Sequence, residues 1–533
     1  MLRFYVFDHD GLPASAWPLR NAYIVGADGN AMRCEIAFRN GILDVHKRDA
    51  GAAALALQHP AGDLGELTLQ TCLLPDREEP YILALELARH RLMTLYAKLE
   101  DWQLFELPED HPVTKRSETA RKKFIEALCL AGESPEQASR LAGESLHTAL
   151  DGSEELALAH SEMLLNRRIA LGALPKSPLG CGAALELRDE RVRAGLRSQF
   201  DFVQVPMPWK ALCPEEGNYQ WGLMDDWAEW SAAQRVPLVA GPLIAFEPGE
   251  LPDWLYIWEH DYDTVRDMIY EHVERVVERY KNTVTAWNVV SGLHVNKHFT
   301  FNFEQLMDLT RMCTMLVKKA QPACKAIVEL RQPFGEYYGE NQRSIPPLMY
   351  ADLLVQSSIG FDALSIRYPM GQAMPGQHTR DLMQLSNMLD QFSHFGKPVH
   401  VTLGVPSEPV TPMMIARAES NDPVDAEAGY WRRPWSGVVQ SHWLEAALQI
   451  AVSKPYIDAV AWHDLVDHPH IELPLSGLVG EDLQARPAWR RLVGFRRHLL
   501  GQSGEGGGEA GGGAGGGAGV AGAGGAGGVG AGS

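Results

Sequence analysis

The spacing of apolar positions changes character twice along the chain. At the start, Leu2, Phe4 and Val6 alternate, which is the two-residue period of a half-buried strand. Farther on, Cys34–Arg39 and Ile42–Lys47 flank Asn40-Gly41, a dipeptide suited to the two positive φ angles of a type I′ hairpin turn. Residues 1–76 are therefore expected to form a small β domain. It would serve either as a sugar-binding β-sandwich or as a packing and assembly module. From about residue 79 the period lengthens: Leu85, Ala88, Leu92, Leu95, Leu99 and Trp102 follow a 3-4-3-4-3 spacing, a narrow helical seam. Ser134-Pro-Glu-Gln137 has the spacing of a capping box with proline at the first helical position, and a helix is expected over Glu154–Ile169. Residues 77–177 thus read as a helical segment. Its seam either forms an intermolecular coiled coil, making the chain a homo-oligomer, or packs within the chain as a bundle under the next domain.

Over residues 178–500, short apolar runs alternate with amphipathic stretches. The runs fall at 179–185, 201–206, 236–245, 284–290, 325–330, 362–367, 398–404 and 457–463. Between them lie helical patterns such as Tyr262–Lys281, with Val265, Met268, Ile269, Val273, Val276 and Tyr280 on one face. Eight strand-then-helix units predict an α/β fold, a (β/α)8 TIM barrel. In the stretch 501–533, 19 of 33 residues are glycine, so it has too little apolar surface to offset its ordering entropy and reads as a disordered spacer.

A net charge of −20 disfavours nucleic acid, whose phosphates need clustered Lys and Arg. The 7 cysteines are scattered, with no Cys-x-x-Cys pair, so neither a disulfide framework nor a zinc site is expected. His463-Asp-Leu-Val-Asp-His-Pro-His470 fits no metal-ligand spacing either, and neither a metal nor an organic cofactor is expected. The N-terminus has no apolar signal core and no run is long enough to span a membrane; the expectation is a cytoplasmic protein without a membrane partner.

Several pieces of the barrel region share a resemblance. Phe200-Asp-Phe-Val203 precedes Lys210 and Pro214-Glu-Glu-Gly-Asn-Tyr219; Leu238–Phe246 precedes Leu251-Pro-Asp-Trp254. Arg279-Tyr-Lys281 leads into Thr285-Ala-Trp-Asn-Val-Val-Ser-Gly-Leu-His294. Gly396-Lys-Pro-Val-His-Val-Thr402, Ala461-Trp462 and Arg486-Pro-Ala-Trp489 follow. In this order and at this spacing they resemble the family-10 glycoside hydrolases, the xylanase family, which implies carbohydrate (a β-glycan or glycoside) as ligand. Where that family reads Trp-Asp-Val-Val-Asn-Glu, this chain has Ser291-Gly292, so Gly292 replaces the acid/base glutamate; Leu403 replaces the nucleophile. The family's third-strand histidines fall on Pro242 and Glu247, its second-strand Asn-Glu pair on Met207 and Pro208, and only Lys210 is kept.

Retaining hydrolysis needs two carboxyl groups about 5–5.5 Å apart, and the resemblance implies that both are missing from their usual positions. Substitutes on the strand ends are Glu247, Glu329 and Asp464, with Asp467 nearby; otherwise these acids simply pair with neighbouring Arg and His. Lys210, His294, Arg367, Trp435 and Trp462 are candidate sugar contacts, the two tryptophans through ring stacking. Two functions follow. One is a divergent glycosidase with relocated carboxylates. The other is a non-catalytic carbohydrate-binding or scaffolding protein. Gly292 and Leu403 are expected to face the barrel mouth, Leu403 beside Trp462, and glutamates placed at both are expected to be tolerated by the fold.

Overall fold

The computed structural model describes residues 1–501 apart from 9–10, 105–106, 248 and 416–426. The expected spacer lies, beyond Gly501, outside the described residues. Eight parallel strands close into a barrel: β1 (Leu179–Gly182), β2 (Phe202–Val205), β3 (Leu238–Ala240), β4 (Ala286–Ser291), β5 (Lys325–Leu330), β6 (Ala363–Pro369), β7 (Val399–Gly404) and β8 (Ile457–Trp462). Each pairs with its neighbour, β8 returns to β1, and β3 reaches β4 directly and through the short extension Ile244–Ala245. All eight lie within the runs expected from sequence, give or take two residues at the ends. Both faces of these strands are covered, which is why they read as continuous apolar runs and not as alternating ones. Inside the barrel, Phe202, Val239, Ala286, Ile327, Ala363, Ala459 and Ala461 form their own small cluster, separate from the larger core between strands and helices.

The N-terminal region supplies two sheets. In one, Leu2–Tyr5 lies between Ile42–Lys47 and Tyr81–Ile82, with Cys34–Arg39 on the edge. The hairpin turn is as the sequence predicts: Asn40 and Gly41 have φ of 50° and 77°, and Arg39 pairs with Ile42. In the other sheet, Ala53–Pro60 pairs with Tyr23–Gly26 and Gly65–Gln70. Its edge strand, Tyr430–Trp431, comes from the loop after β7, so the barrel itself completes this sheet.

Three helices follow: α1 (Leu83–Asp101), α2 (Pro112–Leu130) and α3 (Pro135–Ala170). The predicted helices from Ser134 and from Glu154 are one 36-residue element. Ser134 occupies its N-cap, but the hydroxyl bonds the Glu136 carboxylate and makes no capping bond to the backbone. Leu85, Ala88, Leu92, Leu95 and Leu99 are buried within the chain, and Trp102 stacks on His160 of α3 at 4.0 Å. The seam is therefore packed within the chain, as the bundle alternative expected. The far side of α3 lies on the barrel helix between β7 and β8, α4 (Gly437–Ser453), where Gln449 Nε2 donates to Leu158 O at 3.0 Å and Ser161 Oγ at 2.9 Å.

Candidate functional site at the barrel mouth

The loops after β5, β6 and β7 carry the N-terminal sheets. Thr68 N donates to Thr379 O at 2.8 Å, Asn21 Nδ2 to Glu336 at 3.2 Å, and Arg380 Nη2 to Tyr23 Oη at 2.8 Å. The face on which such barrels place their chemistry is thus walled on one side by the N-terminal region.

Inward-facing residues at the strand ends build the site. On β4 the alternation is broken by a bulge between Asn288 and Val290, so Ser291, not its neighbours, points inward beside Glu329 of β5. Ser291 Oγ donates to Glu329 Oε1 at 2.7 Å, and Ser365 Oγ of β6 lies 3.4 Å from the other oxygen. Glu329 is buried in the barrel interior, held by two hydroxyls. Arg331 follows β5 and Arg367 ends the inward row of β6. Both grip a residue from the loop after β8: Glu472 Oε2 accepts from Arg331 Nη2 at 2.8 Å and from Arg367 Nε at 2.6 Å. His463 Nε2 stands 2.8 Å from Arg367 Nη2 and 3.2 Å from Glu472 Oε2. Arg331 also pairs with Glu247 at 3.4 Å. Glu247, Arg331, Arg367 and Glu472, with Gln332, Pro369, Gly376 and Gln377, line a small cavity of about 30 Å³ that opens to solvent.

The electrostatics divide the acids. Burial alone would push the Glu472 carboxyl up, but Arg331 and Arg367 hold it well below the usual carboxylate range. Burial wins at Glu247, raising it against the pull of Arg331, and at Glu250, which is pushed up to about 7. The mouth thus keeps one firm anion between two guanidinium groups, with two acids beside it that resist ionisation.

Of the sequence-derived candidates, the structure brings Glu247, Glu329 and Arg367 together here. Asp464 pairs with His463 Nδ1 at 3.7 Å and His468 Nε2 at 3.5 Å, on the far side of His463 from Glu472. Lys210 pairs with Asp253 at 3.0 Å. His294 is fully buried, stacked on Tyr350 at 5.0 Å, with Nε2 bonded to Arg331 O at 3.0 Å. Burial lowers its pKa to about 4, so it is a neutral prop behind Arg331 and not a sugar contact.

Trp435 and Trp462 are buried, their indole N–H groups donating to Gly429 O and Ser476 O. Neither ring presents a face for stacking. The reason at Trp462 also overturns the expectation for Leu403. Thr402 pairs with Ala461, an interior residue, and its Oγ1 lies 3.4 Å from Gln204 Oε1 across the barrel. Leu403 and Trp462, one position on, therefore face outward into the helix layer. Gly292 does lie at the mouth, past the end of β4, but with φ of +67° and an ideal Cβ position 3.0 Å from Glu247 Oε1. A glutamate there would be strained and would strike Glu247, contrary to the expected tolerance.

Glu472, Arg331 and Glu250 were not singled out from the sequence. Glu472 and Glu250 sit in loops without periodicity, where the only signal is a charged residue close to a strand end.

Fold and site together define a (β/α)8 barrel whose mouth carries an arginine–carboxylate network. Residues 179–309, from β1 to within the helix after β4, match the model of glycosyl hydrolase family 10. Endo-1,4-beta-xylanase 2 of Aureobasidium pullulans is 27% identical over 131 residues, covering 24% of this chain and 36% of that protein. Endo-1,4-beta-xylanase 3 of Hypocrea jecorina is 32% identical over 99 residues, 18% of this chain and 28% of that protein. The matched part thus spans about a third of the length of these curated relatives. Among solved structures, native xylanase 10B from Thermotoga maritima aligns with 63% of this chain and 99% of its own at 14% identity and a TM-score of 0.46. A family 10 protein from Paenibacillus barcinonensis aligns with 61% and 96% at 16% identity and a TM-score of 0.44. The family match ends before β5, so the sequence around Leu403 and Trp462 lies outside it.

Proposed function

We propose that this chain is a carbohydrate-directed protein related to the family 10 glycoside hydrolases that binds or scaffolds a β-glycan and does not perform retaining hydrolysis at its barrel mouth. The observation that carries this reading is the network Glu247–Arg331–Glu472–Arg367, in which the Glu247 and Glu472 carboxylates are engaged by guanidinium groups. Double displacement requires a free carboxylate aimed at the anomeric carbon and a second carboxyl on the leaving oxygen. Here Glu329 is buried against hydroxyls, Glu247 leans on a guanidinium, and Gly292 offers no side chain. The β-glycan is inferred from the xylanases to which residues 179–309 are similar. The test is to incubate the purified chain with insoluble and soluble xylan. Retention on the insoluble polymer without release of reducing sugar is expected. Release that Glu247→Gln or Glu329→Gln abolishes would overturn the reading.

A second reading, a glycosidase with relocated acids, draws on Glu250. An acid with its pKa near 7 is what a general acid needs at neutral pH. On that reading, aryl glycosides would be cleaved with a pH profile falling near 7, and Glu250→Gln would remove that limb.

A further inference from the structure

Glu472 is bound as a ligand would be. Two guanidinium groups converge on its Oε2, Gln377 Nε2 lies 3.4 Å from Oε1, and Gln372 Nε2 donates to its backbone carbonyl at 3.0 Å. We propose that Arg331 and Arg367 form a binding site for the carboxylate of an acidic sugar, a hexuronate, and that Glu472 occupies it as an internal competitor. The proposal rests on the reading of the mouth as a carbohydrate site.

Each arginine has contacts besides Glu472: His294 bonds the backbone carbonyl of Arg331 and Glu247 pairs with its head, while His463 stands 2.8 Å from the head of Arg367. The loop that carries Glu472 is anchored on either side of it. Before it, Asp467 is fixed by Arg486 at 2.5 Å and by Gly477 N at 2.8 Å; after it, Leu473 and Ser476 are fully buried. Between these anchors Pro469 and His470 are exposed, and the Glu472 side chain is 23% exposed, so the proposed exchange turns this side chain out toward solvent on the exposed part of the loop.

Charge selects the replacement. An exchange of one carboxylate for another leaves the balance with Arg331, Arg367, Glu329 and Glu247 unchanged. A phosphate dianion would bring a second negative charge to a site that now balances a single carboxylate charge against the two guanidinium groups. A neutral sugar would leave two desolvated guanidinium groups short of an anion. Guanidinium geometry also suits a planar carboxylate.

The test measures binding of D-glucuronate, D-galacturonate, D-xylose and inorganic phosphate by calorimetry to the full chain and to Glu472→Ala, Glu472→Gln and Glu472→Ala/Arg367→Gln. The expected result is hexuronate binding at least ten-fold tighter in Glu472→Ala than in the unaltered chain, lost again on adding Arg367→Gln. Glu472→Gln keeps the shape and removes the charge, and carries the same expected ordering should the alanine variant not fold. No gain in a variant shown to be folded by circular dichroism would overturn the proposal. So would equal or tighter binding of xylose or phosphate. Xylan hydrolysis by the unaltered chain would instead count against the non-hydrolytic reading of the mouth, a separate outcome from these.

Discussion

Gly292 stands where a side chain meets two obstacles at once. Its left-handed backbone costs an ordinary residue about 1–2 kcal/mol, and its Cβ would press on Glu247 Oε1 and, at 3.2 Å, on Arg331 Cδ. Gly292→Ala is expected to destabilise by about 1–2 kcal/mol in urea denaturation, and Gly292→Glu by more, with no gain of hydrolysis. A glutamate variant as stable as the parent would show that the mouth is looser than described. The acids beside it bear on pH. Glu250 has a folded pKa of about 7, above the roughly 4.3 of an unfolded glutamate. Between those values the native state holds the extra proton, so this group lowers stability as pH rises and stops doing so above about 7. Glu472, depressed, acts oppositely: its contribution is present above the unfolded value and is lost as pH falls through its folded pKa. Glu250→Gln should therefore flatten the decline in melting temperature between pH 5 and 7 (roughly the window set by the two pKa values). An unchanged profile would remove Glu250 from this role.

Elements are joined here by buried charge as much as by apolar packing. Arg91 of α1 grips Asp381, at the start of the helix Leu382–Gln391, through two bonds of 3.1 and 2.5 Å. Both side chains are almost fully buried. Glu154 of α3 accepts from Trp431 Nε1 at 2.7 Å, Leu382 N at 3.0 Å and Arg432 Nη2 at 2.7 Å. Removing one partner strands the other, so Arg91→Ala and Asp381→Ala should each cost about 3–5 kcal/mol, read by chemical denaturation. The double variant should cost less than the sum of the two. Strict additivity would mean that the two residues do not act as a pair. This contact also marks how far the sequence could be read. The barrel strands were legible because buried parallel strands are unbroken apolar runs, and α1 because its seam repeats every three or four residues. The partnership of Arg91 with Asp381 has no local signature. Neither has the inward or outward direction of a strand's last residue: the bulge in β4 brings Ser291 inward, and the alternation on β7 turns Leu403 outward.

Across the whole molecule, the N-terminal sheets, the three helices and the barrel share strands and buried ion pairs, and the site lies at the barrel mouth beside which the N-terminal sheets stand. Among the described residues no helix is long and apolar enough to cross a membrane. We propose that the carboxylates at this mouth, engaged by arginines at Glu247 and Glu472 and by hydroxyls at Glu329, do not form a glycosyl-enzyme. Retaining glycosidases pass through a covalent intermediate, which a 2-deoxy-2-fluoro xylobioside with an activated leaving group traps. The decisive measurement is the intact mass of the full chain after incubation with that reagent. The account predicts an unchanged mass with no release of the leaving group. A mass increase of one fluorinated xylobiosyl unit, lost on Glu247→Gln or Glu329→Gln, would contradict it.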